Sequence, residues 1–160
     1  MLAVAAERTP RRWVDDYWKR LGTTSDDPRP GVFLSYAHID VREARELKTA
    51  LGPEVLVVLD DDYIRFGETW WDVIGEAITH CALTLVLVSP AAVASLNVQD
   101  EISAAVDQRN QTHGRHRLVP GFLVVVQELQ MPLRGKHGLD VEREGGLQPV
   151  AQKLKAELVA

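Results

Sequence analysis

The sequence lacks most of the features that would assign a protein at once. Its 160 residues contain one cysteine, Cys81, which excludes an internal disulfide and a zinc site built on several cysteines. Cys81 lies in an apolar run, where a small core side chain is the expected role. No stretch approaches the ~18 consecutive apolar residues of a membrane span, and the opening MLAVAAERTPRR has its charges in the wrong place for a signal peptide. Basic residues number 18 against 23 acidic ones, a formal net charge of −5, so a basic face for nucleic acid is missing too. There is no GxGxxG, no GxxxxGK[ST] and no GxSxG. These absences exclude a glycine loop holding nucleotide phosphates and a serine nucleophile elbow, and Cys81 is not placed as a nucleophile either. What remains is a soluble, cytoplasmic domain with no nucleic-acid or membrane partner. At 46% hydrophobic and 26% charged residues, it can fill one core.

Residues 1–30 differ from the rest. Trp13, Val14, Tyr17, Trp18 and Leu21 recur at helical spacing and predict a short N-terminal helix with one wide apolar face, available to the domain or to a partner chain. GTTSDDPRPG then has the composition of a linker. From Gly31 the pattern is regular, and residues 31–160 read as a single domain. VFLSY (32–36), EVLVVLD (54–60), LTLVLVS (83–89) and LVPGFLVVV (118–126) read as strands. DVREARELKTAL (40–51), TWWDVIGEAITHC (69–81), the segment around Glu101 and LQPVAQKLKAELVA (147–160) read as helices. Strands without polar alternation, separated by helices, predict an α/β fold with a parallel sheet covered on both faces. In such sheets ligands bind beyond the carboxyl ends of the strands, where the strand order reverses. For a flavodoxin-like order, 2-1-3-4-5, that point lies between the first and third strands, beside SYAHID and SPAAVASLNVQDE, and Glu101 borders it.

Few residues here carry chemistry. Glu101 reads as a first-turn residue of its helix, with Ser95 or Asn97 as the cap and Val98, Ile102, Ala105 and Val106 as the buried stripe. As a helix-start charge it would gain about 0.3–1 kcal/mol from the macrodipole. The three aspartates 60–62 could hold a divalent cation. A phospho-acceptor domain would also need acids after its first and third strands, where this chain has Ser35-Tyr36 and Ser89-Pro90. The segment therefore reads as a solvated loop in which Gly67 supplies a positive φ. The two histidines of QTHGRHR (111–117) likewise read as a solvated loop, and no metal site is expected.

Taken together, the segments resemble the TIR (Toll/interleukin-1 receptor) domain. GVFLSYAHID resembles its first box, and LDDDYIRFGETWWDVIGEAI its second box with the BB loop. LTLVLVSPAAVASLNVQDEI resembles the box that often ends Ser-x-Trp-Cys-x-x-Glu-Leu, and MPLRGKHGLDV precedes a terminal helix as in the family. The resemblance spans residues 31 to about 158. It implies a flavodoxin-like parallel five-stranded sheet with helices on both faces, here with the short N-terminal helix added.

The resemblance also implies an activity: cleavage of NAD+ at the nicotinamide–ribose bond, giving nicotinamide and ADP-ribose or a cyclic isomer, in prokaryotic immune (antiphage) signalling. NAD+ would be substrate, with no cofactor. By position the catalytic residue is Glu101. The substrate-binding loops map to Ala37 and His38 after the first strand and to Arg65 in the BB loop, with Ser35, Phe66 and Trp70 as neighbours. Asn97 stands where many enzymatic members have tryptophan, so Tyr36, Trp70 or Trp71 would have to supply the stacking surface. Partners would be other TIR domains, through residues 61–68, and a sensor or effector of a defence system. Two other functions fit the same boxes: a non-enzymatic adaptor acting by TIR–TIR assembly, and an enzyme cleaving free nucleosides on a related fold.

Overall fold

The computed structural model describes residues 11–59, 69–124, 126–129, 131–134 and 138–159, the side chains of 11–13, 69–72 and 131 excepted. Five parallel strands form one sheet. They are β1 (Gly31–Ser35), β2 (Leu56–Val58), β3 (Leu83–Val88), β4 (Arg117–Phe122) and β5 (Leu139–Asp140), in the order β2-β1-β3-β4-β5. The order reverses between β1 and β3, as a flavodoxin-like sheet requires.

The period-2 alternation of the apolar strands decides which layer each side chain enters. Val32, Leu34 and Tyr36 of the β1 segment and Leu83, Leu85 and Leu87 of β3 share a cluster with α2 (Val41–Leu51) and α7 (Leu147–Leu158). The intervening residues face the other way. Phe33 packs with α3 (Thr69–Thr79). Val86 and Val88 pack with α4 (Pro90–Ala94) and α5 (Leu96–Gln111). Fully buried strands explain why no polar alternation is visible in the sequence.

β5 holds two residues, paired only with Gly121 and Phe122 of β4. Gly138 just before it admits this pairing, because a Cβ there would sit 2.6 Å from the Pro120 carbonyl oxygen. Between β5 and α7 the chain makes one further short helix, α6 (Val141–Glu144).

The N-terminal helix, α1 (Arg11–Arg20), turns its apolar face inward. Val14, Tyr17 and Trp18 are buried against Val73, Ile74, Ala77 and Ile78 of α3 and against Phe33. The Trp18 ring meets His80 edge-on, with centroids 5.3 Å apart. The described part of the apolar stripe, which leaves out the Trp13 side chain, is thus consumed by the domain itself. The segment after α1 is held as well: Arg29 pairs with Asp27 at 2.7 Å and donates to the Pro53 carbonyl at 3.1 Å, and Thr23 donates to Asp27. The Arg29 guanidinium holds the Asp27 carboxyl well below the usual carboxylate range.

One of the two histidines read as a solvated loop is in fact buried. His113 is exposed, but His116 is 1% exposed. Its Nδ1 lies 2.9 Å from the Cys81 carbonyl oxygen and its Nε2 2.9 Å from Thr84 Oγ1. A carbonyl only accepts, so Nδ1–H donates to it and Nε2 accepts from the threonine hydroxyl. The neutral ring therefore joins the end of α3 to the starts of β3 and β4. Cys81 itself is buried against Gly31, where a Cβ would come within 3.1 Å of its Sγ. Burial pushes its thiol pKa up, which keeps the sulfur unreactive.

Burial lowers the His116 pKa below its ordinary 6.5. The folded chain therefore binds this proton less readily than the unfolded chain, and the group's contribution to stability is lost as pH falls below about 6.5. Urea titrations between pH 8 and 5 should show a fall in stability of up to about 1.4 kcal/mol per pH unit, and His116→Gln should flatten that slope.

Candidate functional site

The reversal of strand order brings three segments together: the loop after β1, the end of β3 with α4, and the start of α5. Ser89 opens the third strand's exit. Its hydroxyl accepts from the Ala92 backbone N–H at 3.1 Å, with Pro90 in the first turn, and so starts α4. Ser95 starts α5, accepting from Val98 N at 3.3 Å.

That cap corrects the expected place of Glu101. With Ser95 as N-cap, Glu101 is the sixth residue of α5, in its second turn, and the first turn contains no acidic residue. Nor does Glu101 lie at the edge of the stripe. It is 1% exposed and sits on the buried side of α5 with Val98, Ile102 and Ala105. Three and four residues set positions 98, 101, 102 and 105 on one helical face, which packs against β1, β3 and β4. A macrodipole contribution fades within the first turn, whereas removing a carboxylate from water costs several kcal/mol. Helix stabilisation does not account for Glu101.

The other predicted residues fall into three groups. Ser35, Ala37 and His38 are at the carboxyl end of β1. Ser35 is fully buried, alternates with Phe33 onto the α3/α5 side of the sheet, and its hydroxyl has no hydrogen-bond partner among the described residues. Ala37 is buried in the cluster that contains Val98, Ile102 and Ala105, the neighbours of Glu101. His38 is exposed and opens a 3-10 turn, His38–Asp40. Arg65 and Phe66 lie outside the described residues, as do the aspartates 60–62 and Gly67. Trp70 belongs to α3, and its side chain, like that of Trp71, is outside the described part.

Tyr36 does not supply a ring on the Glu101 side. It packs in the cluster over α2 and α7, on the opposite face of the sheet. Asn97, at the position of the expected tryptophan, is exposed. Large exposed apolar side chains do occur at this end of the sheet: Ile39 in the turn after β1, 78% exposed, and Leu96 at the start of α5, 74% exposed.

Asp40 and Ser89 were not anticipated. Ser89 Oγ donates to Asp40 Oδ2 at 2.5 Å, joining the loop after β1 to the end of β3 across 49 positions of sequence. The only signal for them was location, since both lie in the two loops that flank the point of reversal.

Comparison with known proteins defines the class. The TIR domain family matches residues 32–157, and the chain belongs to that family. Among solved structures, it is similar to the TIR domain of the Toll-related receptor TRR-2 from the lower metazoan Hydra magnipapillata. The TM-score is 0.61 at 17% sequence identity, over 81% of this chain and 98% of that one. At that identity the likeness is one of fold. A search of curated protein sequences finds no match. No helix among the described residues is long and apolar enough to cross a membrane.

Removing the Ser95 hydroxyl leaves a first-turn N–H of α5 without its acceptor. Ser95→Ala should lower stability by about 1 kcal/mol, read as a shift of the urea midpoint with unchanged slope.

Proposed function

We propose that this TIR domain cleaves NAD+ at the nicotinamide–ribose bond, with Glu101 as the catalytic carboxylate. The observation that carries the reading is the burial of Glu101 in the apolar face of α5, 1% exposed, beside the point where the sheet reverses order. A carboxylate placed there, out of water and next to the gap between the two loops, is positioned to stabilise a cation that forms beside it. Ser35, Ala37 and His38 are the residues of the β1 end that would bind NAD+. Arg65, Phe66 and Trp70 would complete the site from the 61–68 loop and the start of α3.

One carboxylate is enough for this reaction. Ordinary glycosidases use a second one to protonate the departing oxygen. In NAD+ the C1′–N bond breaks with its electron pair moving to the pyridinium nitrogen, and nicotinamide leaves neutral without a proton. The ribosyl oxocarbenium left behind needs a negative neighbour and a held 2′,3′-diol, and Glu101 serves both. At ~4 Å and an effective dielectric near 20, the attraction is about 4 kcal/mol. Water then adds at C1′ and releases a proton, giving ADP-ribose. Attack by an adenine nitrogen or a ribose hydroxyl instead gives a cyclic isomer, which a dry site favours.

The natural setting of this activity would be prokaryotic antiphage signalling in the cytoplasm, with a sensor or effector protein as a further partner. Residues 1–30 would be an addition to the TIR unit of 31–160. The second reading is an adaptor that acts only through TIR–TIR assembly. It is favoured by Asn97, exposed where a stacking ring would stand, and by the exposed Ile39 and Leu96 at the same rim.

Chromatography of NAD+ incubated with concentrated protein distinguishes them. Nicotinamide should be released, and Glu101→Ala should slow release about a thousandfold, since each ~1.4 kcal/mol is tenfold. Intact NAD+ with both proteins would favour the adaptor. TIR domains assemble with one another, and a neighbour's 61–68 loop would complete each site. The rate should therefore rise more steeply than in proportion to protein concentration, and strict proportionality across a wide range would count against shared sites.

A further inference from the structure

Asp40 occupies the N-cap position of α2, where a carboxylate ordinarily accepts a first-turn N–H and contributes about 1 kcal/mol. Here it makes no capping bond, and its backbone, at φ −95° and ψ 15°, is outside the extended conformation that caps adopt. Its oxygen is turned instead to the Ser89 hydroxyl at 2.5 Å. Ser89 Oγ already accepts from Ala92 N, so its single proton is free to be committed to Asp40. The Ser89 side chain is buried and Asp40 half-buried, and a hydroxyl–carboxylate bond of this length is among the stronger neutral-to-charged hydrogen bonds.

The two residues stand in telling places. Ser89 directly follows β3, and Asp40 ends the turn that His38 begins. Between them run the two loops that leave the sheet at the point of reversal. In the loop after β1, Tyr36 and Ala37 at its start are buried in the core, but beyond them its turn closes on itself through Asp40 N to the Ala37 carbonyl at 2.8 Å, and His38 and Ile39 are exposed.

We infer that the Asp40–Ser89 hydrogen bond is a clasp that positions the β1 loop, Ala37 and His38, against α5 and Glu101. Asp40 is a positioning residue, acting on substrate through that loop. The inference rests on the NAD+ reading for its kinetic consequence, though not for its structural one.

The test combines amide hydrogen exchange of the free protein with steady-state kinetics on NAD+. Asp40→Ala breaks the clasp and leaves the Ser89 cap of α4 in place; Ser89→Thr keeps the hydroxyl. Asp40→Ala should raise exchange at the 38–40 amides about tenfold while α5 and the sheet stay protected, and Ser89→Thr should exchange like the parent. In kinetics the loop holds substrate, so Asp40→Ala should raise KM about tenfold with kcat changed less than about threefold, the pattern of lost binding rather than lost chemistry. Asp40→Ala combined with Ser89→Ala should be no worse in KM than Ser89→Ala alone, because that variant has already lost the clasp together with the α4 cap and Asp40→Ala has nothing further to break.

Unchanged exchange in Asp40→Ala, or KM effects that multiply in the double variant, would overturn the clasp. If the parent protein leaves NAD+ intact while loop exchange rises as expected, the clasp holds and the NAD+ reading fails. If the parent cleaves NAD+ and Asp40→Ala has the parent's KM, the clasp fails and the NAD+ reading holds.

Discussion

A carboxylate buried in the apolar face of α5 is the constraint around which the site is arranged. Glu101 lies among Val98, Ile102 and Ala105, against the strands of a parallel sheet. Burial removes the water that would otherwise screen its charge, so whatever cation forms beside it feels a stronger attraction than at a surface. Taking a carboxylate out of water costs several kcal/mol unless its contacts offset it, and the surrounding structure has to accommodate it. It does so with strands that are apolar on both faces and with three clusters that fill both layers.

The sheet's order then decides what Glu101 can meet. Because β1 and β3 are neighbours while their helices leave toward opposite faces, the loops after them part at the reversal and α5 crosses beside the gap. The buried Ser35 ends β1 and Ala37 follows it in one loop, and the Ser89 that starts α4 lies in the other. The Asp40–Ser89 bond ties the two together. Far from this end, the neutral His116 ties the starts of β3 and β4 to the end of α3, so the sheet is fastened at both ends by polar contacts within an apolar frame.

Much of this was legible in the chain. The unbroken apolar runs of β1 and β3 and the helical spacing of α2, α3 and α7 announced a doubly covered parallel sheet, and the structure has one. A fifth strand was implied by the family resemblance alone, and the residue pattern did not place it, because two residues carry no periodicity. The third strand's exit read as one loop, yet two serines cap two helices there, and that shift moved Glu101 from a first turn to a second. His116 was misread because its neighbours Arg115 and Arg117 are exposed; the ring is held by partners 32 and 35 residues away, which local pattern cannot see. Asp40 was invisible for the same reason. Its bond to Ser89 exists only once β1 and β3 lie side by side.

The most direct test of the central claim is a crystal structure of the Glu101→Gln variant with NAD+. The account predicts the nicotinamide ribose at the carboxyl ends of β1 and β3, with C1′ about 4 Å from the residue 101 side chain, the separation at which the attraction reaches several kcal/mol. NAD+ bound elsewhere on the domain, with residue 101 still enclosed by apolar side chains, would contradict it.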